Sequence, residues 1–193
     1  MSNVVVTVIS TLDGYAAGEG GNVFAMPIDL GFDRYNLARM RKAVTLLFGT
    51  TTFRAAREYW PRPAEDPDAA EVEREISRLY ATMRKVVISD SLQAAETTPW
   101  TDTTEIVRRA DATRRLAELK AVDGGDVLCF GSVTTWNPLL TDGLVDELHI
   151  LIGPGVIGAG LSTFTGPVER PLTLRGVERI EDSNLVALQY TVG

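Results

Sequence analysis

The chain has 193 residues, about the length of one ordinary domain, and its 45% hydrophobic and 23% charged residues are typical of a globular protein. Its longest apolar runs, such as residues 148–152, are far shorter than the roughly 20 residues that span a bilayer. The first residues carry neither a basic segment nor a small-residue cleavage site, so they do not indicate a secretory signal. We expect a single domain over residues 1–193, located in the cytoplasm and without a membrane partner.

The net charge of −7 would repel the phosphate backbone of a nucleic acid, and no Lys/Arg stripe with interleaved aromatic residues offsets it. A nucleic-acid partner is therefore not expected. The only cysteine, Cys129, lies in an apolar run that is typical of a buried strand, and the only histidine is His149. Because two such residues cannot supply a His/Cys zinc cluster, no metal site is predicted.

Buried strands and helices alternate along the first two thirds of the chain. Residues 4–9 are β-branched and apolar without alternation, which predicts a strand buried on both faces at the centre of a mainly parallel sheet. Further strands are predicted at 44–48, 85–89, 105–107 and 126–130, and helices at 32–42, 52–58, 71–83, 112–121 and 133–140. This alternation predicts an α/β fold with right-handed crossovers.

From residue 145 the pattern changes to strands alone. The runs 145–152, 172–180 and 185–192 follow one another with no helical pattern between them, and the last run alternates apolar with polar residues. We expect an antiparallel C-terminal element that completes one edge of the sheet. An uncovered edge strand favours association, which is one reason to expect a homodimer.

Residues 153–158 match the G-x-G-x-x-G dinucleotide fingerprint and follow a predicted strand. That fingerprint requires a helix N-terminus after the glycines, but the downstream segment contains Gly166, Pro167 and Pro171 and cannot continue as a helix. We interpret these residues as a glycine-rich loop near the active site or a strand edge.

A glycine pair before the predicted strand 126–130 and a single glycine after it form a better candidate for a phosphate cradle. Gly124 and Gly125 precede the strand, and residues 131–134 follow it where a helix is predicted to begin. Exposed amides at a helix start bind phosphate, and glycine allows close approach. The alternative interpretation is a tight turn followed by Ser132 as an ordinary helix cap.

Six segments occur in an order that is found in one family. They are residues 10–15 (STLDGY), 48–52 (FGTTT), 86–91 (VVISDS), 125–131 (GDVLCFG), 140–148 (LTDGLVDEL) and 154–160 (PGVIGAG). Over essentially its whole length the chain thereby resembles the reductase domain of RibD-type riboflavin-biosynthesis proteins, which has the three-layer dihydrofolate-reductase-like fold. Residues 143–148 with their Pro and Gly sequel are the most specific part.

The resemblance implies an NADPH-dependent oxidoreductase with its cofactor cleft at the carboxyl ends of the parallel strands. Hydride would pass to a small heterocycle or a ribosylaminopyrimidine, as in 5-amino-6-(5-phosphoribosylamino)uracil reductases. The zinc deaminase domain of RibD-type proteins has no His/Cys signature here, so any role in riboflavin synthesis concerns the reduction alone. Three alternatives stay open: dihydrofolate reduction, reduction of another carbonyl or imine, and nucleotide binding without catalysis.

The resemblance also implies cofactor-binding residues. Thr52 matches a threonine that contacts the cofactor, and Ser89 or Ser91 matches a serine near the adenosine ribose. The pyrophosphate loop corresponds to residues 125–134, and with the preceding glycine its candidate contacts are Gly124, Gly125, Gly131, Ser132, Val133 and Thr134.

The resemblance also implies three residues near the substrate. Asp13 and Gly14 match the loop that borders the nicotinamide and the substrate. Asp33 lies where dihydrofolate reductases keep a buried acid that orients the pterin, although it is equally interpreted as an ordinary acid of the first helical turn. Those enzymes carry Gly-Arg-x-Thr after the second strand, whereas this chain has Gly49 and Thr50 followed by two more threonines, so one phosphate-binding arginine is missing.

The choice between NADPH and NADH depends on Asp90. Residues 89–91 lie at the end of the predicted third strand, where side chains alternate, so Ser89 and Ser91 are expected on one face and Asp90 on the other. An Asp90 on the cofactor side would repel a 2′-phosphate, since two charges about 4 Å apart interact by roughly 4 kcal/mol at an effective dielectric of about 20. RibD-like domains carry an Asp-Ser pair in a similar place and use NADPH, so the resemblance implies that Asp90 is turned away and that NADPH is preferred.

Overall fold

The computed structural model describes residues 2–122 and 124–193, in which ten strands and five α-helices are present. The strands are β1 (Val4–Ser10), β2 (Tyr15–Ala17), β3 (Ala43–Gly49), β4 (Arg84–Ile88), β5 (Thr104–Val107), β6 (Asp126–Cys129), β7 (Glu147–Ile152), β8 (Leu161–Ser162), β9 (Leu172–Arg179) and β10 (Val186–Val192). The helices are α1 (Leu30–Met40), α2 (Thr50–Tyr59), α3 (Glu71–Thr82), α4 (Ala112–Ala121) and α5 (Val133–Thr141). No helix in these two ranges is both long and apolar enough to cross a bilayer.

Eight strands form one sheet in the order β5-β4-β3-β6-β1-β7-β10-β9. The strands from β5 to β7 are parallel, whereas β10 and β9 are antiparallel to their neighbours. The predicted α/β fold with an antiparallel C-terminal edge is therefore confirmed, as is the central place of β1, whose seven residues are all buried. The small β2–β8 sheet was not predicted, because it pairs only three residues with two from a distant part of the chain.

Helices cover the sheet on both faces, and two of the three buried clusters among the described residues lie beneath them. On one face, α4 and α5 bury Leu116 and Trp136 against the even-numbered valines of β1. On the other face, α1, α2 and α3 pack around Phe48 and Phe53. Cys129 lies in the first core with no exposed surface, which confirms the predicted buried strand residue, and burial raises the pKa of its thiol to about 12.

The start of α1 differs from the prediction by two residues. The Asp29 carboxylate accepts hydrogen bonds from the amides of Gly31 and Phe32, so the helix begins at Leu30, two residues before the predicted start. Such a carboxylate satisfies amides that have no partner inside the helix. This cap holds the first turn of α1, which carries Asp33, over the sheet.

The outer face of β9 and β10 is apolar and supports the predicted homodimer. A bulge in β9 pairs Leu174 with Tyr190 and Val177 with Leu188, which brings all four side chains to one face. Leu174 and Val177 are 52% and 62% exposed on this edge strand. Apolar edge strands are uncommon on monomers because they promote association.

We therefore expect light scattering at micromolar concentration to return about twice the chain mass of 21.0 kDa. Leu174→Lys should shift the species toward the monomer because it places a charge in the apolar face. Thr173→Lys is the matched control, since Thr173 pairs with Thr191 on the opposite face. A single species of monomer mass for the unaltered protein would contradict the prediction.

Candidate active site

A cavity of about 460 Å³ opens at the carboxyl ends of β1, β3 and β6. Its walls come from β1, β2, the glycine-containing loop that follows β2, the helices α1, α2 and α3, and the segment between β6 and α5. Most of the lining residues are apolar or aromatic. A cleft at this position, over the carboxyl edge of a parallel sheet, is where α/β proteins bind ligands.

Two helix N-termini meet in this cavity. The first turn of α2 contributes Thr51 and Thr52 to the lining, and the first turn of α5 contributes Val133 and Thr134. Neither helix has a side-chain cap: the α2 cap is a glycine, and the Ser132 hydroxyl lies 2.8 Å from Thr134 Oγ1 instead of bonding to the helix amides. Uncapped first-turn amides and the helix dipole attract anions, so this wall of the cavity suits a phosphate or pyrophosphate.

Gly131 lies between these two helix starts with a φ of +114°, a conformation that favours glycine. A Cβ added there would have only Thr52 Oγ1 within 4 Å, at 3.8 Å. The space beside Gly131 is therefore open cavity, and a ligand can approach its backbone closely. The peptide bond to Ser132 is cis.

The predicted phosphate cradle does not form as one unit. Gly124 and Gly125 lie at the amino end of β6 and residues 131–134 beyond its carboxyl end, so the whole strand separates them. A Cβ on Gly125 would lie 2.6 Å from the Lys42 carbonyl oxygen, which shows that this glycine allows close packing against the start of β3. Only the glycine after the strand faces the cavity, because the two ends of a strand lie at opposite edges of the sheet.

Residues 89–91 lie outside β4, which ends at Ile88, so the predicted alternation of their side chains is wrong. The Ser89 hydroxyl is buried and accepts hydrogen bonds from the amides of Ser91 (3.2 Å) and Leu92 (2.9 Å). Neither serine lines the cavity, and Ser91 is exposed. The turn after β4, rather than strand pleating, therefore decides where these side chains point.

Gly49 and Thr50 do not line the cavity but pack against residues next to it. A Cβ on Gly49 would lie 2.1 Å from Thr135 Oγ1, so this glycine lets α5 approach the end of β3. The Thr50 hydroxyl donates to Ser89 Oγ at 2.7 Å. The next residue, Thr51, lines the cavity and was missed, although its place in the first turn of a helix after a parallel strand is a signal that could have identified it.

Asp13 links the turn after β1 to the loop at residues 153–158 by hydrogen bonds, and it does not line the cavity. Its carboxylate accepts hydrogen bonds from the amides of Ile157 (3.1 Å) and Gly158 (2.7 Å). The Thr11 side chain, followed by the Gly158 amide, lowers the pKa of Asp13 below its usual value. Gly14 has a φ of +85° and belongs to the same turn, outside the lining. The G-x-G-x-x-G segment is thus a loop docked on the turn after β1, as the glycine-rich-loop interpretation predicts.

Asp33 and Asn36 lie one helical turn apart on α1, and both line the cavity. Burial raises the pKa of Asp33 to about 7, with further contributions from the charges of Glu73 and Asp29 and a smaller opposing one from Arg34. Asn36 is 4% exposed, and its Oδ1 has no hydrogen-bond partner within the described residues. Asn36 was missed by sequence reasoning, because its burial depends on the packing of α1 against the sheet.

Aromatic rings flank this polar pair. Trp60 stacks on Tyr80 with 5.4 Å between ring centroids and an interplanar angle of 11°, and both line the cavity. The cavity thus has two chemically different ends: an anion-attracting end at the helix N-termini, and an acidic end with aromatic walls at α1 and α3.

One family model and one curated relative match nearly the whole chain. The model of the RibD C-terminal domain matches residues 2–186. The uncharacterized protein YyaP of Bacillus subtilis (strain 168) is 28% identical over 190 residues, which are 97% of this chain and 93% of that protein.

Solved structures show the same fold. A putative riboflavin biosynthesis protein from Shewanella sp. PV-4 is 22% identical with a TM-score of 0.68, and the match covers 100% of this chain and 99% of that one. Dihydrofolate reductase from Enterococcus faecalis, complexed with NADP(H) and RAB-propyl, is 14% identical with a TM-score of 0.56, and the match covers 99% and 96% of the two chains. The fold is accordingly dihydrofolate-reductase-like, and the chain belongs to the RibD C-terminal domain family.

Proposed function

We propose that this protein is an NADPH-dependent reductase that transfers a hydride to the carbon of a C=N or C=O group in a small heterocycle. The observation that carries the proposal is one cavity with two uncapped helix N-termini at one end and a buried acid at the other. Membership of the RibD C-terminal domain family supports it, as does the same fold in a dihydrofolate reductase complexed with NADP(H). A place in riboflavin biosynthesis is proposed by analogy with the Shewanella protein.

The residues of the anion-attracting end fit the pyrophosphate of a dinucleotide. The amides at the starts of α2 and α5 would donate to its oxygens, and Gly131 leaves open the space that a side chain would fill. Thr52 and Thr134 place hydroxyl groups in the same wall. When bound, NADPH supplies the hydride that the protein itself cannot provide.

The carboxyl ends of β4 and β5 offer a place for the 2′-phosphate that distinguishes NADPH from NADH. In the sheet these strands lie two and three positions from β6, roughly 14 Å at the outer strand. The Asp90 carboxylate accepts from the Arg109 amide at 3.1 Å and lies 3.5 Å from Arg109 Nε, while Arg108 donates to the Asp90 carbonyl oxygen. Two guanidinium groups therefore outweigh the single carboxylate, and in this proposal they would stand in for the arginine that is missing after β3.

We expect NADPH to bind more tightly than NADH, with Arg108→Leu reducing that preference about tenfold or more, since one lost charge-assisted contact is worth about 1.5–3 kcal/mol. Calorimetric titration of both cofactors measures the change. Arg114→Leu is the control, because Arg114 is an exposed residue of α4 that pairs with Asp111 and Glu118. Equal or tighter binding of NADH by the unaltered protein would contradict the cofactor assignment.

At the other end, Asp33 is suited to hold or deliver a proton. Its pKa of about 7 lies close to neutral pH, where a general acid or base works best. The apolar and aromatic walls would displace water from a bound heterocycle and favour stacking of its ring. The protein thus contributes orientation, water exclusion and one titrating group.

Two measurements test the proposal. NADPH titration monitored by tryptophan fluorescence reports binding, because Trp60 lines the cavity. NADPH oxidation with dihydrofolate, a ribosylaminopyrimidine and cyclic imines then reports catalysis. Absence of NADPH binding would refute the proposal, whereas binding without oxidation of any of these compounds would favour a nucleotide-binding protein without catalysis.

A further inference from the structure

We propose that this protein has a second ligand site, at the amino edge of the sheet, and that this site takes a small zwitterion with a carboxylate beside an ammonium group, as in a free amino acid. The site lies at the opposite edge of the sheet from the candidate active site and shares no lining residue with that cavity. The inference therefore does not depend on the proposed function. It depends on a pocket, on two unpaired cations and on a carboxylate in the opposite wall.

The pocket has a volume of about 110 Å³, which is room for roughly three or four water molecules or for a ligand of similar size. The sheet forms one wall and the end of α1 forms the other; the lining residues are Val5, Asp126, Leu128, Glu147 and His149 from the sheet and Arg39 and Lys42 from the end of α1. Val5 pairs with Leu128 of β6 and with Glu147 of β7. Their second neighbours, Asp126 and His149, reach the same face because side chains alternate along a strand.

Two cations in this pocket have no anionic partner. Arg39 lies over the Tyr35 ring, with 4.9 Å from its Cζ to the ring centroid, and its Nε is buried without a hydrogen-bond partner in the described chain. Neither Arg39 nor Lys42 forms an ion pair or donates a side-chain hydrogen bond to another described residue. A buried N–H group without a partner is unfavourable, and a guanidinium can bind a carboxylate through two parallel hydrogen bonds. This wall of the pocket therefore suits the carboxylate of a ligand.

The sheet wall carries two carboxylates, of which Glu147 already has partners. Glu147 lies 3.2 Å from His149 Nε2 and accepts from Asn3 Nδ2 at 3.3 Å. Burial lowers the pKa of His149, and the Tyr35 hydroxyl lies 2.9 Å from its Nδ1, so a neutral imidazole donates from Nε2 to Glu147.

Asp126 is the carboxylate that lacks a cation. It forms no ion pair with another described residue, and burial raises its pKa although the Asn3 amide opposes that shift. The charges of Lys42 and Arg39 act on Asp126 only from a distance, since neither is paired with it. A buried charge needs a partner, so an ammonium group at this wall would be stabilised.

A zwitterion satisfies both walls at once. Acetate would pair with Arg39 and Lys42 but leave Asp126 without a cation, whereas methylammonium would do the reverse. A doubly charged phosphate would be repelled by Asp126 and Glu147. Glycine carries both groups on adjacent carbons and is small enough for the pocket.

Glycine titrated into the unaltered protein tests the inference, with acetate and methylammonium as the two half ligands. We expect glycine to bind with a Kd of about 1 mM or lower, and at least about tenfold more tightly than either half ligand. Amide NMR shifts locate the binding and should change at residues 39, 42, 126 and 147. N,N,N-Trimethylglycine is the control for general solute effects, because it carries the same charges but is bulkier and has no N–H donors; it should not shift these residues.

Arg39→Met should weaken glycine binding about tenfold or more, because it removes the guanidinium and keeps an unbranched side chain. Arg41→Met is the matched control: Arg41 lies at the same end of α1 but pairs with Glu75 at 2.7 Å and does not line the pocket. It should leave the affinity unchanged. Asp126→Asn should lower the affinity for glycine to that for acetate. If Arg39→Met does not fold, Lys42→Gln at an exposed position replaces it, with the same expected direction.

Several results would overturn the inference. Equal affinities for glycine and acetate, or tighter binding of inorganic phosphate than of glycine, would show that the ligand class is wrong. Unchanged glycine affinity in a folded Arg39→Met variant, or no shift at the four residues with glycine at tens of millimolar, would show that the pocket is not a site. Failure of NADPH to bind would refute the proposed function and leave this inference intact, because the two sites lie at opposite edges of the sheet.

Discussion

Replacing Gly131 with alanine is expected to weaken NADPH binding at least about tenfold, and Gly131→Val should reduce it about 100-fold, which correspond to roughly 1.4 and 2.7 kcal/mol. The reason is geometric: a side chain at Gly131 projects into the open cavity beside the helix starts, where we place the pyrophosphate. Calorimetry or fluorescence titration gives the affinity, and thermal unfolding shows whether each variant is folded.

Gly124→Ala is the matched control for the alanine variant. Gly124 also has a positive φ, +145°, and a Cβ there would have only one neighbour within 4 Å, Val44 Cγ1 at 4.0 Å. Both alanine variants therefore share a backbone strain of about 1–2 kcal/mol, but only Gly131→Ala should lose NADPH affinity. If Gly124→Ala weakened binding as much, Gly124 would also contribute to phosphate binding, as the sequence analysis predicts. Unchanged affinity in a folded Gly131→Val variant would place the pyrophosphate elsewhere.

Asp33→Asn should have opposite effects on activity and stability. We expect turnover to fall about 100-fold or more, since a positioned acid or base contributes that factor in general acid–base catalysis. At pH 8 the same variant should have a free energy of unfolding about 1–3 kcal/mol higher than the unaltered protein, because the folded state no longer holds a buried carboxylate. Steady-state kinetics and urea unfolding measure the two effects.

The pH dependence of stability follows from the direction in which folding changes the pKa of Asp33. Asp33 has a pKa of about 7 in the folded protein and 3.8 as its ordinary value, so between these pH values the unfolded chain releases a proton that the folded chain keeps. The contribution of Asp33 to the free energy of unfolding has its maximum below pH 3.8 and falls as the pH rises to 7. Above pH 7 it no longer changes. Raising the pKa of Asp33 from 3.8 to about 7 corresponds to at most about 4 kcal/mol of stability, and the partial exposure of Asp33 reduces this figure.

The stability advantage of Asp33→Asn should accordingly vanish near pH 4 and reach its maximum above pH 7. Asp102→Asn, at an exposed position before β5, serves as the control and should show no such dependence. A stability difference that is the same at pH 4 and pH 8 would mean that the Asp33 pKa is not raised. Unchanged turnover of Asp33→Asn would mean that Asp33 takes no part in proton transfer. Cofactor binding is measured separately by titration and does not depend on this result.

The sequence by itself determined the architecture and one wall of the site. The β-branched run at the start of the chain is apolar on both faces, so it predicted the buried central strand β1. The alternation of strand-like with helix-like segments along the chain predicted the parallel sheet. Gly131 followed by a helix start was recognisable because a strand–glycine–helix sequence is local: neighbouring residues alone create the open amides. The fold, the family resemblance and the open amides after Gly131 all depend on short-range patterns in the sequence.

The tertiary structure alone decided the rest of the site. Gly124 and Gly131 look equivalent in the sequence, but the strand between them carries them to opposite edges of the sheet. The raised pKa of Asp33 comes from burial and from Glu73, forty residues further along the chain, and the orphaned oxygen of Asn36 comes from the packing of α1. Burial and electrostatic environment are sums over residues that are distant in the chain. No local pattern contains them, so they become visible only when the chain is folded.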